Sequence, residues 1–441
     1  MKFVLLAQAI IARWTRKYLP GLVAAFCCYV VSTFYFNVDE PRPGQQNQCD
    51  EHLRNPSIDP PQIPRPTDGF KIIRLTNSGE FANRCQLTNV LYELNWDRPV
   101  PFDSFKVDVR PDAIPLPKLA VLYVHGWKHN ADSDDTDLEN FKKLIDDLRK
   151  KEEGKRKEDG KRYVVGIYVG WNAEAPLWRW FENLTFWVKK TNADRIAQSS
   201  SVTEIYSAIG SITSRRPQDQ FIAIGHSFGA RILYSATAQP LVADVALAHP
   251  GFPGYSYRVI DGLSDAIILL NPAFEATRYS AIDGFIRSRE CFSRAQAPLM
   301  VTISSKGDWA TRFAFPLGQW LGLARDEREL QTLGNYKPFW THSLDKASCP
   351  TALGHPITEQ FGTAELCMRR LVEKRAEHNP FIVATTTSDV ISNHNDIWNA
   401  TFSKWLVELI AALQSQHDVE KRATESTIVS CSAARQQLHL R

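Results

Sequence analysis

The sequence contains no C-x-x-C pair, no H-E-x-x-H and no internal repeat. The first two absences remove the common zinc ribbons and zincin sites, and the third removes solenoids and propellers. An excess of one charge sign is lacking too: 52 basic residues against 49 acidic ones leave a net charge of +3. That balance is too even for a phosphate-binding face, so no nucleic-acid partner is expected. Nothing in the motifs calls for a metal or another cofactor. Wholesale disorder is excluded as well, because hydrophobic residues make up 44% and charged residues 23% of the 441-residue chain, ordinary values for a folded body.

Charge is absent altogether from Tyr18 to Val38, "YLPGLVAAFCCYVVSTFYFNV", after Lys2, Arg13, Arg16 and Lys17. The run is close to the ~20 residues needed to cross a bilayer, and it is longer than the apolar core of a usual cleaved signal. No A-x-A-like cleavage site follows it, and Phe26 stands before Cys27 where a lipoprotein signal carries a small residue. Residues 1–36 therefore read as a cytoplasmic tip and a single transmembrane helix. Basic residues before the span and acidic ones after it orient the rest of the chain outside the cytoplasm.

Residues 37–69 hold seven prolines, the composition of an extended spacer. Six cysteines lie beyond the span; in an oxidising compartment some can pair, and Cys49 with Cys85 would staple the linker to the domain edge, although spacing alone does not fix connectivity. The stretch from Arg149 to Arg162 has eight basic and four acidic residues and reads as a solvated helix end and loop.

Residues 70–415 read as one domain. "FKIIRLT" (70–76) and "LTNVLYELNW" (87–96) have the composition of edge strands. From Lys118 onward, short continuous apolar runs alternate with amphipathic stretches such as Leu138–Leu148 and Val202–Ile212: "LAVLYVHGW", "YVVGIYVGW", "FIAIGHS", "DAIILLNPA", "LMVTISS" and "FIVATTT". Strands buried on both faces and separated by helices imply an α/β fold with a doubly wound, mostly parallel sheet. Residues 416–441 are polar and are expected to fray.

In "FIAIGHSFGARILYSA" a buried strand runs into Gly225, Ser227 and Gly229 and then into helical spacing. G-x-S-x-G is weak evidence by itself, but between strand and helix it has a physical meaning. The serine takes a strained backbone at a sharp corner, its glycine neighbours leave room for strand and helix to approach, and the hydroxyl stands at a helix N-terminus. Here the chain resembles the α/β-hydrolase superfamily, in particular serine esterases and lipases, including membrane-anchored bacterial hydrolases. The resemblance spans about Leu119 to Leu413.

The resemblance implies a triad in the chain order Ser, acid, His. "LMVTISSKGDWAT" supplies Asp308 just past a strand, and "FIVATTTSDVISNHNDIW" supplies His394 in the loop before the closing helix, 397–413. Glu275 in "NPAFEA" is the alternative acid. His342, His355 and His378 precede the final strand and do not fit the order. A bland alternative for His394 is a capping histidine. "VLYVHGWKHNA" resembles the HG loop of lipase-like hydrolases, which implies that the amides of Trp127 and Phe228 form an oxyanion hole. His125 and His129 lack the further ligands of a metal site, and His226 reads as a packed residue of the elbow.

Aromatics crowd two stretches outside the strand series: Trp171–Trp187, with Trp178 and Trp180, and Trp309–Phe381, with Phe313, Phe315, Trp320, Tyr336, Phe339 and Trp340. They can line or cover a substrate pocket or serve as ordinary core, and Trp178, Trp180 and Trp187 can also sit at a membrane interface. The implied activity is hydrolysis of a small-molecule or lipid carboxylic ester, or a related acyl bond, by Ser227, His394 and Asp308. The competing class is a non-catalytic binding module of the same fold held at the membrane.

Overall fold

The computed structural model describes residues 17–21, 23–25, 27, 69–95, 116–155, 160–173, 186–248, 259–288, 292–293, 295–316, 319, 326–351, 355–371 and 376–421. A ten-stranded sheet runs through them in the order β1-β3-β2-β4-β5-β6-β10-β7-β9-β8. Its strands are β1 (Phe70–Leu75), β2 (Lys118–Val124), β3 (Tyr163–Trp171), β4 (Gln220–His226), β5 (Ala266–Leu270), β6 (Met300–Ser305), β7 (His342–Asp345), β8 (Gln360–Gly362), β9 (Cys367–Arg370) and β10 (Phe381–Thr386). Every pairing from β1 through to β7 is parallel, and only β9 runs against its neighbours.

The continuous apolar runs are explained by cover on both faces. Within β2, Ala120, Leu122 and Val124 enter one core while Leu119, Val121 and Tyr123 enter the other. In β4, Phe221 and Ala223 face the first core, and Ile222 and Ile224 the second. Because side chains alternate across a strand, a sheet covered on both sides needs apolar residues at every position. The first core is covered by α1 (Cys85–Asn95), α4 (Ser201–Thr213), α5 (Phe228–Ala248) and α6 (Ser280–Arg287), and the second by α2 (Thr136–Glu153) and α7 (Ala400–Glu420); α3 (Phe186–Gln198), between β3 and β4 in the chain, adds Ala193 and Ile196 to the first core.

Strand order places the site. From β2 the chain moves to one side to form β3 and returns to the other side to form β4. In open α/β sheets the crevice at the carboxyl ends of the strands flanking such a reversal is where ligands bind. The HG loop leaves β2 there and the serine corner leaves β4.

Three expectations change. Residues 87–96 do not form a strand: Cys85–Asn95 is a helix, with Leu87, Val90 and Leu94 buried on one face and its first turn held by the Asn83 side chain, which accepts from the Cys85 amide at 2.9 Å. The three-and-four spacing of those apolar residues decided the outcome over β-rich composition. The stretch from Trp309 to Phe381 is not chiefly a pocket lining: it builds β7, β8 and β9, tied by a Cys349–Cys367 disulfide. Phe315 and Phe339 are buried in it, Tyr336 and Trp340 pack against the first core, and Trp309 is exposed. Trp178, Trp180 and Trp320 lie outside the described residues, as do the side chains of Trp187 and Phe313. The closing helix runs past Gln416 to Glu420, with His417 and Glu420 buried, so the tail does not fray at its start.

Cys85 is disulfide-bonded to a partner outside the described residues, as Cys49 is outside them. Most of the 18–38 stretch also lies outside them, and among the described residues no helix is long and apolar enough to cross a membrane.

Candidate active site

Ser227 follows β4 with φ of 55°, in the left-handed region that a residue with a side chain rarely enters. The strain is held by surrounding bonds: its amide donates to Leu270 O at 3.0 Å, and its carbonyl accepts from Ala273 N at 3.1 Å and Arg231 N at 3.3 Å. The two glycines are sterically required. A Cβ on Gly225 would lie 2.7 Å from Ala230 Cα, and one on Gly229 would lie 2.1 Å from Val124 O and 2.4 Å from His125 O. Strand β4, helix α5 and the end of β2 therefore meet with nothing between them, and Ser227 is pushed to the corner.

His394 reaches this corner from the loop between β10 and α7. Its Nε2 lies 2.6 Å from Ser227 Oγ, and its Nδ1 lies 2.6 Å from Asp308 Oδ2. An ionised carboxylate only accepts, so Nδ1 carries the proton and Nε2 presents its lone pair to the serine hydroxyl. Asp308 is fully buried yet well solvated by protein: Oδ1 accepts from the amides of Ala310 at 2.9 Å and Thr311 at 3.1 Å, and Oδ2 accepts from Thr311 Oγ1 at 2.6 Å. Burial alone would raise its pKa; the facing His394 and these donors outweigh it and hold the carboxyl below its ordinary value.

Glu275 is placed elsewhere. Its carboxylate accepts from Arg231 Nη1 at 2.8 Å, Arg278 Nε at 2.9 Å and Gln319 Nε2 at 2.8 Å, with Lys190 Nζ at 3.5 Å. Burial would raise its pKa, but Arg231, Arg278 and Lys190 bring it down to about 2. The alternative acid is thus spent in an ion network over α5, with its oxygens bound by cations instead of by His394.

Two residues fix the His394 loop: His226, read from the sequence as a packed residue beside Ser227, and Asn271, which the sequence reading did not single out. The His394 carbonyl accepts from His226 Nε2 and from Asn271 Nδ2, each at 3.0 Å. Asn271 sits at the end of β5 with φ of 41°, and its Oδ1 accepts from Ser305 N at 2.9 Å, so one amide side chain joins the ends of β5 and β6 to the histidine loop. His226 is buried, its ring centroid 5.1 Å from that of His394; burial first, and then the neighbouring His394, keep its pKa well below the ordinary value, so it stays neutral and donates from Nε2. The signal for Asn271 in the sequence is its place as the opening residue of "NPAFEA", since an Asn opening the turn after a strand tolerates the left-handed backbone. Further along, Trp398 Nε1 donates to the buried Asp137 at 2.6 Å, which anchors the start of α7 on α2.

The HG loop packs directly on the serine. A Cβ on Gly126 would lie 2.7 Å from Ser227 Cβ and 2.8 Å from His226 Nδ1, so the chain at Gly126 and Trp127 passes beside the corner. His125 locks the loop to β3: its Nδ1 donates to Gly126 O at 2.7 Å, its Nε2 accepts from Trp171 N at 2.9 Å, and Trp171 Nε1 donates to His125 O at 3.0 Å. Burial lowers the His125 pKa to about 3, so the ring is neutral, as this bonding requires. Trp171, grouped by sequence with possible pocket aromatics, is a buried strand residue. Trp127 is also buried, and Phe228 opens α5. His129 pairs with Asp135 at 3.0 Å.

No protein-family model and no curated protein matches the sequence. Among solved structures, the phospholipase PlaB from Legionella pneumophila in complex with thio-NAD is similar at 11% identity and a TM-score of 0.32, covering 73% of this chain and 64% of that one. A second structure of PlaB aligns at 12% identity and a TM-score of 0.27, covering 73% of this chain and 66% of that one. An iodinated complex of acetyl xylan esterase aligns at 14% identity and a TM-score of 0.15, over 35% of this chain and 63% of that one. The chain spans less than two thirds of the first of these proteins. Likeness at this level carries no inference about chemistry, which rests on the geometry of the site.

Proposed function

We propose that this chain is a serine hydrolase that cleaves a carboxylic ester or a related acyl bond through an acyl-enzyme. The observation that carries the reading is the continuous line from Ser227 Oγ through His394 to Asp308, with both contacts at 2.6 Å, starting from a serine held at positive φ. A neutral serine hydroxyl is a poor nucleophile; an imidazole poised to take its proton, and a carboxylate that fixes the imidazole tautomer and stabilises its cation, supply the activation.

In this reading Ser227 Oγ attacks the acyl carbon while its proton passes to His394 Nε2. The oxyanion of the tetrahedral intermediate is held by the amides of Trp127 and Phe228, each such donor contributing about 2.7 to 4 kcal/mol in known hydrolases. The bond from the acyl carbon to the leaving oxygen then breaks, and that oxygen takes the proton back from Nε2. Water attacks the acyl-enzyme with His394 as base, releasing the acid and restoring Ser227. Gly126 pressed against Ser227 supports this role for the loop.

The proposal extends to location: residues 1–36 anchor the chain in a membrane, residues 37–69 space it, and residues 70–415 act outside the cytoplasm. The Cys349–Cys367 bridge and the bonded Cys85 support an oxidising compartment. Full-length protein should stay with membranes through a salt wash; a soluble form starting near residue 37 would mean a cleaved signal instead.

The deciding experiment is labelling of the full-length chain with a fluorophosphonate probe. An adduct mapped to Ser227 and lost in Ser227→Ala establishes an activated serine. Folded protein that takes no label overturns the hydrolase reading in favour of a non-catalytic binding module.

A further inference from the structure

Each oxygen of the Asp308 carboxylate accepts twice. Oδ1 takes the amides of Ala310 at 2.9 Å and Thr311 at 3.1 Å, and Oδ2, the oxygen that meets His394 Nδ1 at 2.6 Å, also takes Thr311 Oγ1 at 2.6 Å. A further contact reaches that hydroxyl: Asn335 Nδ2 lies 3.2 Å from Thr311 Oγ1 and 2.9 Å from Thr332 Oγ1.

The charge at the far end fixes the direction of these bonds. An ionised carboxylate only accepts, so the single proton of the Thr311 hydroxyl points to Asp308, and lone pairs are left to face Asn335. The Asn335 side chain must then present its NH₂ group and donate. A line of donors thus runs from Asn335 through Thr311 to the oxygen that holds the imidazole, and a donor behind a hydroxyl strengthens that hydroxyl's own donation.

Asn335 stands 24 residues after Thr311, near the far end of the segment between β6 and β7. That end is fastened to the turn after β5, where Ala276 N donates to Gln331 O at 2.9 Å and Leu333 N donates to Phe274 O at 3.2 Å. It is also pressed onto β6, since a Cβ on Gly334 would strike the Ser304 side chain. Leu333 is fully buried, so the fold of the insertion holds Asn335 against the turn that carries the acid.

We propose that Thr311 and Asn335 are positioning residues of the triad: Asn335 orients the Thr311 hydroxyl, and that hydroxyl aims Asp308 Oδ2 at His394 and shares its negative charge. This inference rests on the hydrolase reading above.

Without the hydroxyl, both amides grip Oδ1 while Oδ2 keeps only His394, so the carboxylate can turn about Oδ1 and the imidazole is aimed less well. The pair of Asp308 and His394 should also bind a proton more tightly, because a hydrogen bond to the charged form favours that form, and the two groups titrate as a unit. Burial raises the Asp308 pKa; His394 and then the Thr311 bonds bring it down. The other charged groups nearby keep their places: His226 is buried and bonded to the His394 carbonyl, Asp396 accepts from the Ser392 amide at 2.8 Å, and Lys306, Arg312, Lys337 and Asp389 are exposed.

The test follows the second-order rate of fluorophosphonate labelling at Ser227 against pH in the full-length chain, which reads activation of the serine without its substrate. Thr311→Val, which keeps the shape and removes the hydroxyl, should lower the plateau rate about tenfold and move the acid limb up by about one pH unit. Thr311→Ser, which keeps the hydroxyl, should restore both. Asn335→Asp keeps the shape of the amide but can only accept, so it draws the Thr311 proton away from Asp308 and should lower the plateau rate as Thr311→Val does. A plateau that falls with the acid limb unmoved, a Thr311→Ser variant no better than Thr311→Val, or wild-type behaviour of Asn335→Asp overturns the inference. Melting temperatures of the same samples identify a variant that has lost its fold, and the comparison of Thr311→Ser with Asn335→Asp then decides. A folded wild-type chain that takes no label removes the hydrolase reading and this inference with it, whereas labelling indifferent to both positions removes this inference alone.

Discussion

Asp308 and Glu275 stand just past the ends of two neighbouring parallel strands, β6 and β5, and both carboxylates are buried with lowered pKa values. Their surroundings differ completely. Asp308 faces one imidazole and a set of local donors from its own turn. Glu275 is gripped by two arginines and approached by a lysine. A lowered carboxyl pKa is therefore no mark of catalysis in itself: the same shift comes from orienting a histidine and from closing an ion network. What separates them is whether the partner can pass a proton onward. An imidazole can; a guanidinium cannot.

The comparison breaks most sharply on activity. Asp308→Asn should lower turnover by about 10⁴-fold, because the amide no longer selects the Nδ1-protonated tautomer, while the melting temperature stays near that of the wild type; steady-state ester hydrolysis and calorimetry on the same samples test this. Retained turnover would remove Asp308 from the mechanism.

Glu275→Gln should show the reverse pattern. Removing Glu275 from the buried ion network leaves Arg231, Arg278 and Lys190 to face Asp194 and should cost about 3 kcal/mol of stability, with kcat within about threefold of the wild type if the residue makes no contact with reacting atoms. Denaturant midpoints and turnover, measured together, decide it. A collapse of activity at unchanged stability would restore Glu275 as the acid.

Acid sharpens the contrast. Glu275 has an ordinary value of 4.5 and is held near 2 in the folded protein. A carboxyl depressed on folding stabilises fully above its unfolded pKa and loses that contribution as pH falls through the folded one. Its share of stability is thus complete above about pH 4.5 and lost toward pH 2. Urea unfolding across this window should give a steeper pH dependence for the wild type than for Glu275→Gln; identical slopes would mean the network contributes nothing.

The smallest effect concerns Asn271, at the end of β5, whose side chain bonds both the end of β6 and the His394 loop. Asn271→Leu removes one of the two donors to the His394 carbonyl and the acceptor for Ser305 N. Looser placement of the histidine should lower kcat by about tenfold with KM little changed. Unaltered kcat would show that His226 alone suffices to hold the loop.

Much of the site was legible in the chain itself. Ser227, Gly225 and Gly229 declare themselves because their demands are local: a positive φ, and two positions where any Cβ would strike backbone. The six central strands were legible for a similar reason, since burial on both faces writes an unbroken apolar run at short range. Residues 87–96 were misread because β-rich composition there masks a helical spacing that only packing against β1 and α4 makes decisive.

The sequence by itself determined the sheet, the corner that holds Ser227, and the order in which an acid and His394 follow it, because each depends on neighbours a few residues away. Only the tertiary structure decided that Asp308 and not Glu275 meets the imidazole, that His226 and Asn271 clamp His394, and that the stretch from Trp309 to Phe381 extends the sheet. Those outcomes depend on which strand ends lie side by side and on where α5 and α7 carry their charges. Residues far apart in the chain share no spacing from which such contacts can be read.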